Sequence, residues 1–182
     1  SDVCSSDLDV RRMLMTMRAY TEACRAMACV AASAFDAAHA HPDAQVREEN
    51  QTFYEYLVPL VKGLSTEMSL EVASLGVQVH GGMGFIEETG AAQYLRDAKI
   101  LTIYEGTTAI QANDLIGRKT VRDGGRTAHA IASRIELTEK ELQAIGDASC
   151  VRMAAQLGRA RKSYLEYVDY LVGQGKAQPN AV

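Results

Sequence analysis

The sequence lacks Trp and contains few Phe and Pro residues. Its 182 residues include no Trp, three Phe and three Pro, whereas Ala, Met and Leu are abundant. Ala, Met and Leu have high helix propensity, and no stretch alternates apolar and polar residues as a half-buried strand would. The composition therefore predicts an all-α protein, and its length is sufficient for one domain with a hydrophobic core.

Several classes of protein lack support in the sequence. The net charge of −4 comes without a basic patch, which argues against a nucleic-acid partner, and no apolar run approaches the roughly 18 residues of a membrane span. The cysteines form no CxxC pair and the histidines no HxxxH pair, so we expect no metal site. Scattered thiols suit a reducing compartment, either the cytoplasm, which we favour, or an organelle matrix. The cysteines are Cys4, Cys24, Cys29 and Cys150.

Apolar residues recur every three or four positions along most of the chain, which is typical of amphipathic helices. The spacing predicts a first long helix from Val10 to the stop at His41-Pro42-Asp43. A second spans about Gln45–Val79, with Pro59 either kinking it or starting a new segment. A shorter helix covers about Ala91–Leu101.

Two sequences of capping-box form indicate further helix starts. Thr108-Ala109-Ile110-Gln111 opens a helix that runs to about Arg122. After a short helix near Thr127–Glu136, Thr138-Glu139-Lys140-Glu141 opens a long one that Gly173 and Gly175 end. We therefore predict an up-and-down helical bundle over residues 9–122 with an additional C-terminal helical hairpin over 123–182.

The first residues do not resemble the rest of the chain. Ser1–Leu8 reads SDVCSSDL, which lacks a recognisable capping signal and resembles the translation of a sequencing-adapter oligonucleotide. We expect these eight residues to be non-native and to contribute nothing to the fold. The C-terminal sequence ends without completing a helix, so we also expect the extension to be truncated.

Two segments interrupt the helical pattern. Gln78–Phe85 contains three glycines, and either forms a simple helix C-cap or lets a ligand approach the backbone closely. In Tyr104–Thr108, Glu105 lies between Ile103 and Ile110, just before a predicted helix N-terminus. Such an acid either caps the helix or, partly buried, acts as a general base near an anion-binding helix end.

These two segments carry a family resemblance. QVHGGMGF, followed by LRDAKILTIYEGTTAIQ, resembles the acyl-CoA dehydrogenase pattern Q-x-x-G-G-x-G-[FY], R-D-A-K-I and I-Y-E-G-T-x-x-I-Q. The resemblance covers Gln78–Gln111 almost without gaps and suggests the C-terminal helical bundle of that family. Residues from Thr120 onward are similar to the extension of a large bacterial subgroup that includes enzymes acting on methylthio-propionyl-CoA.

The resemblance implies specific roles in α,β-dehydrogenation of an acyl-CoA. Glu105 matches the base that removes the α-proton, and its backbone N–H would help bind the thioester carbonyl. Gly106 would line the acyl-CoA site. The residues expected to contact FAD, some of them on a neighbouring subunit, are Gln78, Val79, His80, Gly81, Gly82, Thr107, Thr108 and Ala109.

The same resemblance implies partners and leaves alternatives open. It implies a homodimer or homotetramer and electron-transfer flavoprotein as electron acceptor. The family's N-terminal and β-domains are not encoded here, so we expect the chain to be inactive alone. One alternative is a related flavoprotein without dehydrogenase activity, such as a DNA-damage-response protein. Another is a structural helical domain that binds a partner.

Overall fold

The structure, a computed structural model, describes residues 7–177, and all regular structure in that range is helical. This confirms the predicted all-α fold. The chain forms two compact units, the first ending at Ala112 and the second beginning at Asn113. The division predicted from the sequence, after Arg122, therefore falls inside the second unit.

The first unit is built on a hairpin of two long helices, α1 (Leu8–Ala40) and α2 (Ala44–Val79). As predicted, α1 ends at His41, before Pro42, and the Asp43 carboxylate then caps α2 by accepting from the Gln45 N–H at 2.8 Å. The Phe35 and Tyr54 rings are 5.2 Å apart near the turn. Near the far end, the Met17 side chain of α1 lies 3.8 Å from the position that a Cβ of Gly76 on α2 would take, so the helices run antiparallel.

The N-terminal segment differs in part from its prediction. Asp7 caps α1, because its carboxylate accepts from the N–H groups of Asp9 and Val10, and Leu8 is the first helical residue. The expectation that Ser1–Leu8 contains no capping signal and plays no part in the fold is therefore wrong at Asp7 and Leu8. Residues 1–6 lie outside the described range, and the non-native origin of the segment stays a prediction.

Helix α2 continues without interruption through Pro59, which is buried. The alternative that a new segment starts at Pro59 is therefore wrong. The helix ends at His80, and Gly81 follows with φ 60° and ψ −146°, a conformation that L-residues with a side chain rarely adopt. The glycine stop predicted at this point is confirmed.

Short elements follow and return the chain to α2. Helix α3 (Gly82–Phe85) and a 3₁₀ turn (Glu87–Thr89) lead into α4 (Ala91–Leu101), whose bounds match the prediction. Buried Ala91 and Ala98 allow α4 to pack closely on its neighbours. Helix α5 (Thr108–Asn113) begins where predicted, but the chain continues as a π-helix over Asp114–Val121 instead of as α-helix.

The second unit contains a hairpin of α6 (Arg126–Ile145) and α7 (Ala148–Ala177), which confirms the additional C-terminal helical hairpin. The predicted capping box at Thr138 is wrong, because Thr138 lies inside α6. The turn instead occurs at Gly146, with φ 75°, and Asp147 accepts from the Ser149 N–H at 2.8 Å.

A buried ion pair joins α6 to α7. Glu139 is 8% exposed, and its two carboxylate oxygens accept from Arg161 of α7 at 2.6 and 3.1 Å. Gly158 leaves room for this carboxylate, since a Cβ there would lie 3.0 Å from Oε2. Glu139, which the sequence analysis placed within a capping box, thus forms an ion pair with Arg161 between two helices.

The predicted end of the last helix is also wrong. Gly173 and Gly175 lie within α7, which extends to Ala177. Gly175 is required by packing rather than by chain reversal, because a Cβ at this position would lie 2.4 Å from the Val121 side chain. The glycine allows α7 to approach the π-helical segment closely.

Candidate active site

The loop between α4 and α5 contains Glu105. The N–H groups of Ile103 and Tyr104 both donate to the Ile100 carbonyl, at 3.0 and 3.1 Å, and end α4. Glu105 then has φ 51° and Gly106 φ 96°, and Glu105 is the sole non-glycine residue with positive φ among residues 7–177. A left-handed conformation costs a residue with a Cβ about 1–2 kcal/mol, so surrounding contacts must hold it.

Gly106 is fixed by both its conformation and its neighbour. A Cβ at Gly106 would lie 2.7 Å from the Gln111 side-chain nitrogen, and the Gln111 Cβ in turn lies 3.4 Å from the Cβ position of Gly63 on α2. Any larger residue at 106 would displace the Gln111 amide. The role of Gly106 in lining an acyl-CoA site stays a prediction.

Thr108 does not form the predicted capping box with Gln111. It is the first residue of α5, and its hydroxyl donates to Glu67 of α2 at 2.5 Å. Thr107 supplies the carbonyl that accepts from the Gln111 N–H at 3.0 Å, and Thr107 and Ala109 are exposed. Their side chains are therefore open to a ligand, whereas that of Thr108 is engaged within the unit.

The surroundings of Glu105 differ from the expected partial burial. Glu105 is exposed, and so are its apolar neighbours Ile103, Tyr104 and Ile110, at 52%, 45% and 57%. Within the described residues, the loop is an apolar surface with a carboxylate at its centre. Burial of Glu105 would therefore have to come from another polypeptide segment or from a ligand.

The glycine segment after α2 forms a second exposed feature. His80 ends α2, and its Nδ1 lies 2.7 Å from the Gly76 carbonyl oxygen. The Cβ positions of Gly81 and Gly82 have nothing within 4 Å, and Gln78 and His80 are exposed while Val79 is half-buried. The backbone at these two glycines is thus accessible to a ligand or a partner surface.

Gly84 has a structural role that the sequence did not reveal. It is buried, and a Cβ there would lie 2.2 Å from the Val77 carbonyl oxygen. The third glycine of the segment therefore seats α3 against the end of α2, whereas the first two leave open backbone. Of the three glycines in this segment, Gly81 is the one whose positive φ requires glycine for conformational reasons.

The two candidate segments lie at different levels of α2. The Glu105 loop is tied to α2 at Gly63 and Glu67 through Gln111 and Thr108, while Gln78 stands at the C-terminal end of the same helix. Between Glu67 and Gln78 an α-helix advances about 16 Å at 1.5 Å per residue. The structure therefore does not bring Glu105 and the glycine segment into one compact cluster.

An open cavity of about 810 Å³ lies between α1, α2 and α4. Its wall is mainly apolar and includes Met17 of α1, Met68 and Val72 of α2, and Leu101 of α4, together with His80. The cavity adjoins the glycine segment, and Glu105 is not part of its wall.

Among residues 7–177, no cluster of three or more His, Cys, Asp or Glu side chains is arranged to hold a metal ion. Over that range, no helix combines the length and apolar character that a membrane span requires. The cysteines that the structure describes, Cys24, Cys29 and Cys150, are unpaired thiols.

Comparison with known proteins relates the chain to one family. Residues 4–119 match the family described as acyl-CoA dehydrogenase, C-terminal domain. The chain is 56% identical over 172 residues, 94% of its length, to 3-methylmercaptopropionyl-CoA dehydrogenase of Ruegeria pomeroyi. It is 40% identical over 132 residues, 70% of its length, to the broad-specificity linear acyl-CoA dehydrogenase FadE5 of Mycobacterium tuberculosis.

A shorter similarity connects the chain to one subunit of a reductase complex. It is 38% identical over 52 residues, 29% of its length and 14% of the relative's, to the caffeyl-CoA reductase–Etf complex subunit CarC of Acetobacterium woodii. The chain spans only 29% of the length of the Ruegeria relative and 21% of the Mycobacterium relative. With more than half of its residues matched to one family model, the chain belongs to the acyl-CoA dehydrogenase family and corresponds to its C-terminal domain.

Proposed function

We propose that this chain is the C-terminal part of an FAD-dependent acyl-CoA dehydrogenase in which Glu105 is the base that removes the substrate α-proton. The observation that carries the proposal is the Tyr104–Thr108 loop. It holds a carboxylate in a left-handed backbone conformation on an exposed apolar surface, within a chain of this family. Unusual backbone conformations of this kind concentrate at functional sites.

The chemistry requires two properties of Glu105. Its carboxylate takes the α-proton of the acyl thioester, and its backbone N–H donates to the thioester carbonyl oxygen, where negative charge develops. The chemistry supplied by bound FAD would be acceptance of the β-hydrogen as hydride. Gly106 would line the acyl-CoA site through its backbone, because the Gln111 amide fills the space that a side chain at this position would need. A substrate bound over the exposed loop would exclude water and thereby strengthen these electrostatic interactions.

The residues proposed to contact FAD fit an extended cofactor. Thr107 and Ala109 are exposed beside Glu105, and Gln78–Gly82 offer exposed side chains and open glycine backbone at the end of α2. The separation of about 16 Å along the helix suits contacts with two flavins, one of them bound to a neighbouring subunit. We therefore propose a homodimer or homotetramer, with electron-transfer flavoprotein as acceptor, which the relationship to CarC supports.

The relatives support the proposed substrate class. The Ruegeria protein is similar over nearly the whole chain, so the similarity includes most of the second unit as well as the Glu105 loop. We propose an acyl-CoA thioester as substrate for the complete protein. No observation favours the alternative, a purely structural helical domain, over the enzyme.

Flavin reduction tests the proposal. The complete protein that contains this chain is mixed anaerobically with acyl-CoA thioesters, including 3-methylmercaptopropionyl-CoA, and the oxidised flavin absorbance is followed. Substrate-dependent loss of that absorbance is expected. A protein that holds FAD but is not reduced by any acyl-CoA would instead be the related flavoprotein without dehydrogenase activity.

The 182-residue chain itself is expected to be inactive. It supplies two separated parts of a flavin wall, so most cofactor contacts and the affinity that they provide are missing. After incubation with FAD and desalting, the chain should be helical by circular dichroism and colourless. A yellow protein with one FAD per chain would contradict this expectation.

A further inference from the structure

Two charged side chains of α2, Lys62 and Glu67, contact the chain on opposite sides of Glu105. We propose that they are positioning residues that together hold the Glu105 carboxylate in its working geometry. The inference rests on the proposed function, in which Glu105 is the base. Neither side chain belongs to the family pattern from which the site residues were identified.

Lys62 holds the segment that precedes Glu105. Its half-buried ammonium donates to the Leu101 carbonyl oxygen at 2.7 Å. This carbonyl belongs to the last turn of α4, where helical carbonyls lack an intrahelical partner. The same ammonium lies 4.8 Å from the centre of the Tyr104 ring, within the range of a cation–π interaction. One lysine thus fixes both the end of α4 and the residue directly before Glu105.

Glu67 holds the segment that follows Glu105. Its carboxylate accepts from the Thr108 hydroxyl, at the first residue of α5. Hydrogen bonds to ionised groups are about twice as strong as those between neutral groups, and both side chains here are half-buried. The bond therefore fixes the start of α5 to the same helix that fixes the end of α4.

The loop between these two attachments needs such support. Glu105 and Gly106 are consecutive residues with positive φ, and the Glu105 conformation is unfavourable for a residue with a side chain. If either attachment is lost, the loop can relax and move the carboxylate. A displacement of about 1 Å between reacting groups can lower a rate by about 100-fold. Lys62 and Glu67 thereby act through Glu105 and not on the substrate.

The test uses variants of the complete flavoprotein. Lys62→Met and Glu67→Ala remove the two attachments, while Lys62→Arg keeps a cationic donor and Glu67→Gln keeps an oxygen that can accept from Thr108. Lys99→Met and Glu71→Gln are matched controls. Lys99 is exposed on α4, the helix that Lys62 contacts, and Glu71 is exposed on α2, the helix that carries Glu67. Glu105→Gln defines the result of losing the base.

The main measurement is exchange of the acyl-CoA α-proton with D₂O while the flavin is kept reduced. Under these conditions substrate oxidation cannot occur, so exchange reports removal of the proton by Glu105 and return of a deuteron. Lys62→Met and Glu67→Ala should each slow exchange at saturating acyl-CoA by about 10- to 100-fold. In these two variants, the FAD content and the apparent Kd for acyl-CoA should stay within threefold of wild type. In the conservative and control variants, the exchange rate should also stay within threefold of wild type.

A second measurement does not depend on the flavin. Amide hydrogen exchange over residues 102–109 of the flavin-free complete protein should accelerate in Lys62→Met and Glu67→Ala, but not in the Lys99 and Glu71 controls. If one variant fails to fold, the other carries the test. Unchanged loop protection with α-proton exchange within threefold of wild type would overturn the positioning role. Unchanged α-proton exchange in Glu105→Gln would instead overturn the proposed function.

Discussion

The α4–α5 loop and the α6–α7 hairpin use a glutamate in opposite ways. Glu105 is exposed, in a strained backbone conformation, and surrounded by uncovered apolar side chains. Glu139 lies in regular helix, is almost fully buried, and is bound through both oxygens to Arg161. The first arrangement leaves a carboxylate available to a ligand, whereas the second uses up its hydrogen-bonding capacity in joining two helices.

The two glutamates also differ in what their surroundings require. Removal of the Glu139 carboxylate takes away the two short hydrogen bonds of Arg161 in a largely buried site and leaves it the more distant Glu136 carboxylate at 4.0 Å, which is costly for stability. Removal of the Glu105 carboxylate leaves no hydrogen-bond or ion-pair partner unsatisfied among the contacts that the structure describes. A residue whose loss harms chemistry but not folding is expected at a site of reaction, and a residue with the reverse behaviour is expected in a framework.

Paired substitutions at the two positions should give the largest difference. In the complete enzyme, Glu105→Gln should retain FAD and lower the rate of flavin reduction at saturating acyl-CoA by about 10²–10⁴-fold, the contribution of a positioned general base. Glu139→Gln should leave that rate within threefold. Stopped-flow absorbance measures both. Reduction of Glu105→Gln at nearly the wild-type rate would place the base elsewhere.

Stability should show the reverse order. In the 182-residue chain, Glu139→Ala should lower the thermal midpoint by on the order of 10 °C, since a buried pair is broken. Glu105→Ala keeps the Cβ and therefore the backbone strain, and it should leave the midpoint nearly unchanged. Thermal unfolding followed by circular dichroism at pH 7 compares the two. Equal losses in both variants would remove the distinction between framework and site.

The stability effect at Glu139 should depend on pH. Hydrogen bonds from Arg161 lower the pKa of Glu139 below the ordinary glutamate value of 4.5, despite the opposing effect of burial. A carboxyl with a depressed pKa in the folded state stabilises the fold above its unfolded pKa and loses that contribution as the pH falls through its folded pKa. The difference in midpoint between wild type and Glu139→Gln should therefore be constant at neutral pH and shrink below about pH 4.5.

Gly84 gives a framework position close to the other candidate segment. Gly84→Ala should destabilise the chain by about 1–3 kcal/mol, the range for overpacking, because its Cβ would overlap the Val77 carbonyl oxygen. Gly82→Ala, with nothing within 4 Å of its Cβ, is the matched control and should have a much smaller effect. Urea denaturation of the two variants measures the difference.

The smallest effect is expected at Glu22, an exposed carboxylate on α1 that tests whether the base lies on this helix instead. Glu22 is exposed and its carboxylate is 2.8 Å from Arg18 one turn earlier. Exposed pairs of this kind contribute little to stability. Glu22→Gln should change neither the thermal midpoint by more than about 1 °C nor the rate of flavin reduction by more than threefold. A large loss of reduction in this variant, with Glu105→Gln active, would assign the base to α1.

Helix positions were predictable where local signals and packing agree. The ends of α1 and α4, and the stop of α2 at Gly81, follow from Pro42, from apolar spacing and from a required positive φ. The prediction failed where a long-range contact overrides a local signal. Thr138 lies inside α6, in a helix that Arg161 ties to α7 through Glu139, and Thr108 donates to Glu67 rather than capping α5.

The sequence by itself determined the helical class, the family pattern and the positions of Glu105 and the glycine segment, because these depend on composition, periodicity and short motifs. The tertiary structure decided which partners the polar side chains have. Lys62 and Glu67 reach Leu101, Tyr104 and Thr108 only because α2 lies beside the end of α4 and the start of α5. Contacts between residues about forty positions apart depend on helix packing, which local periodicity does not encode.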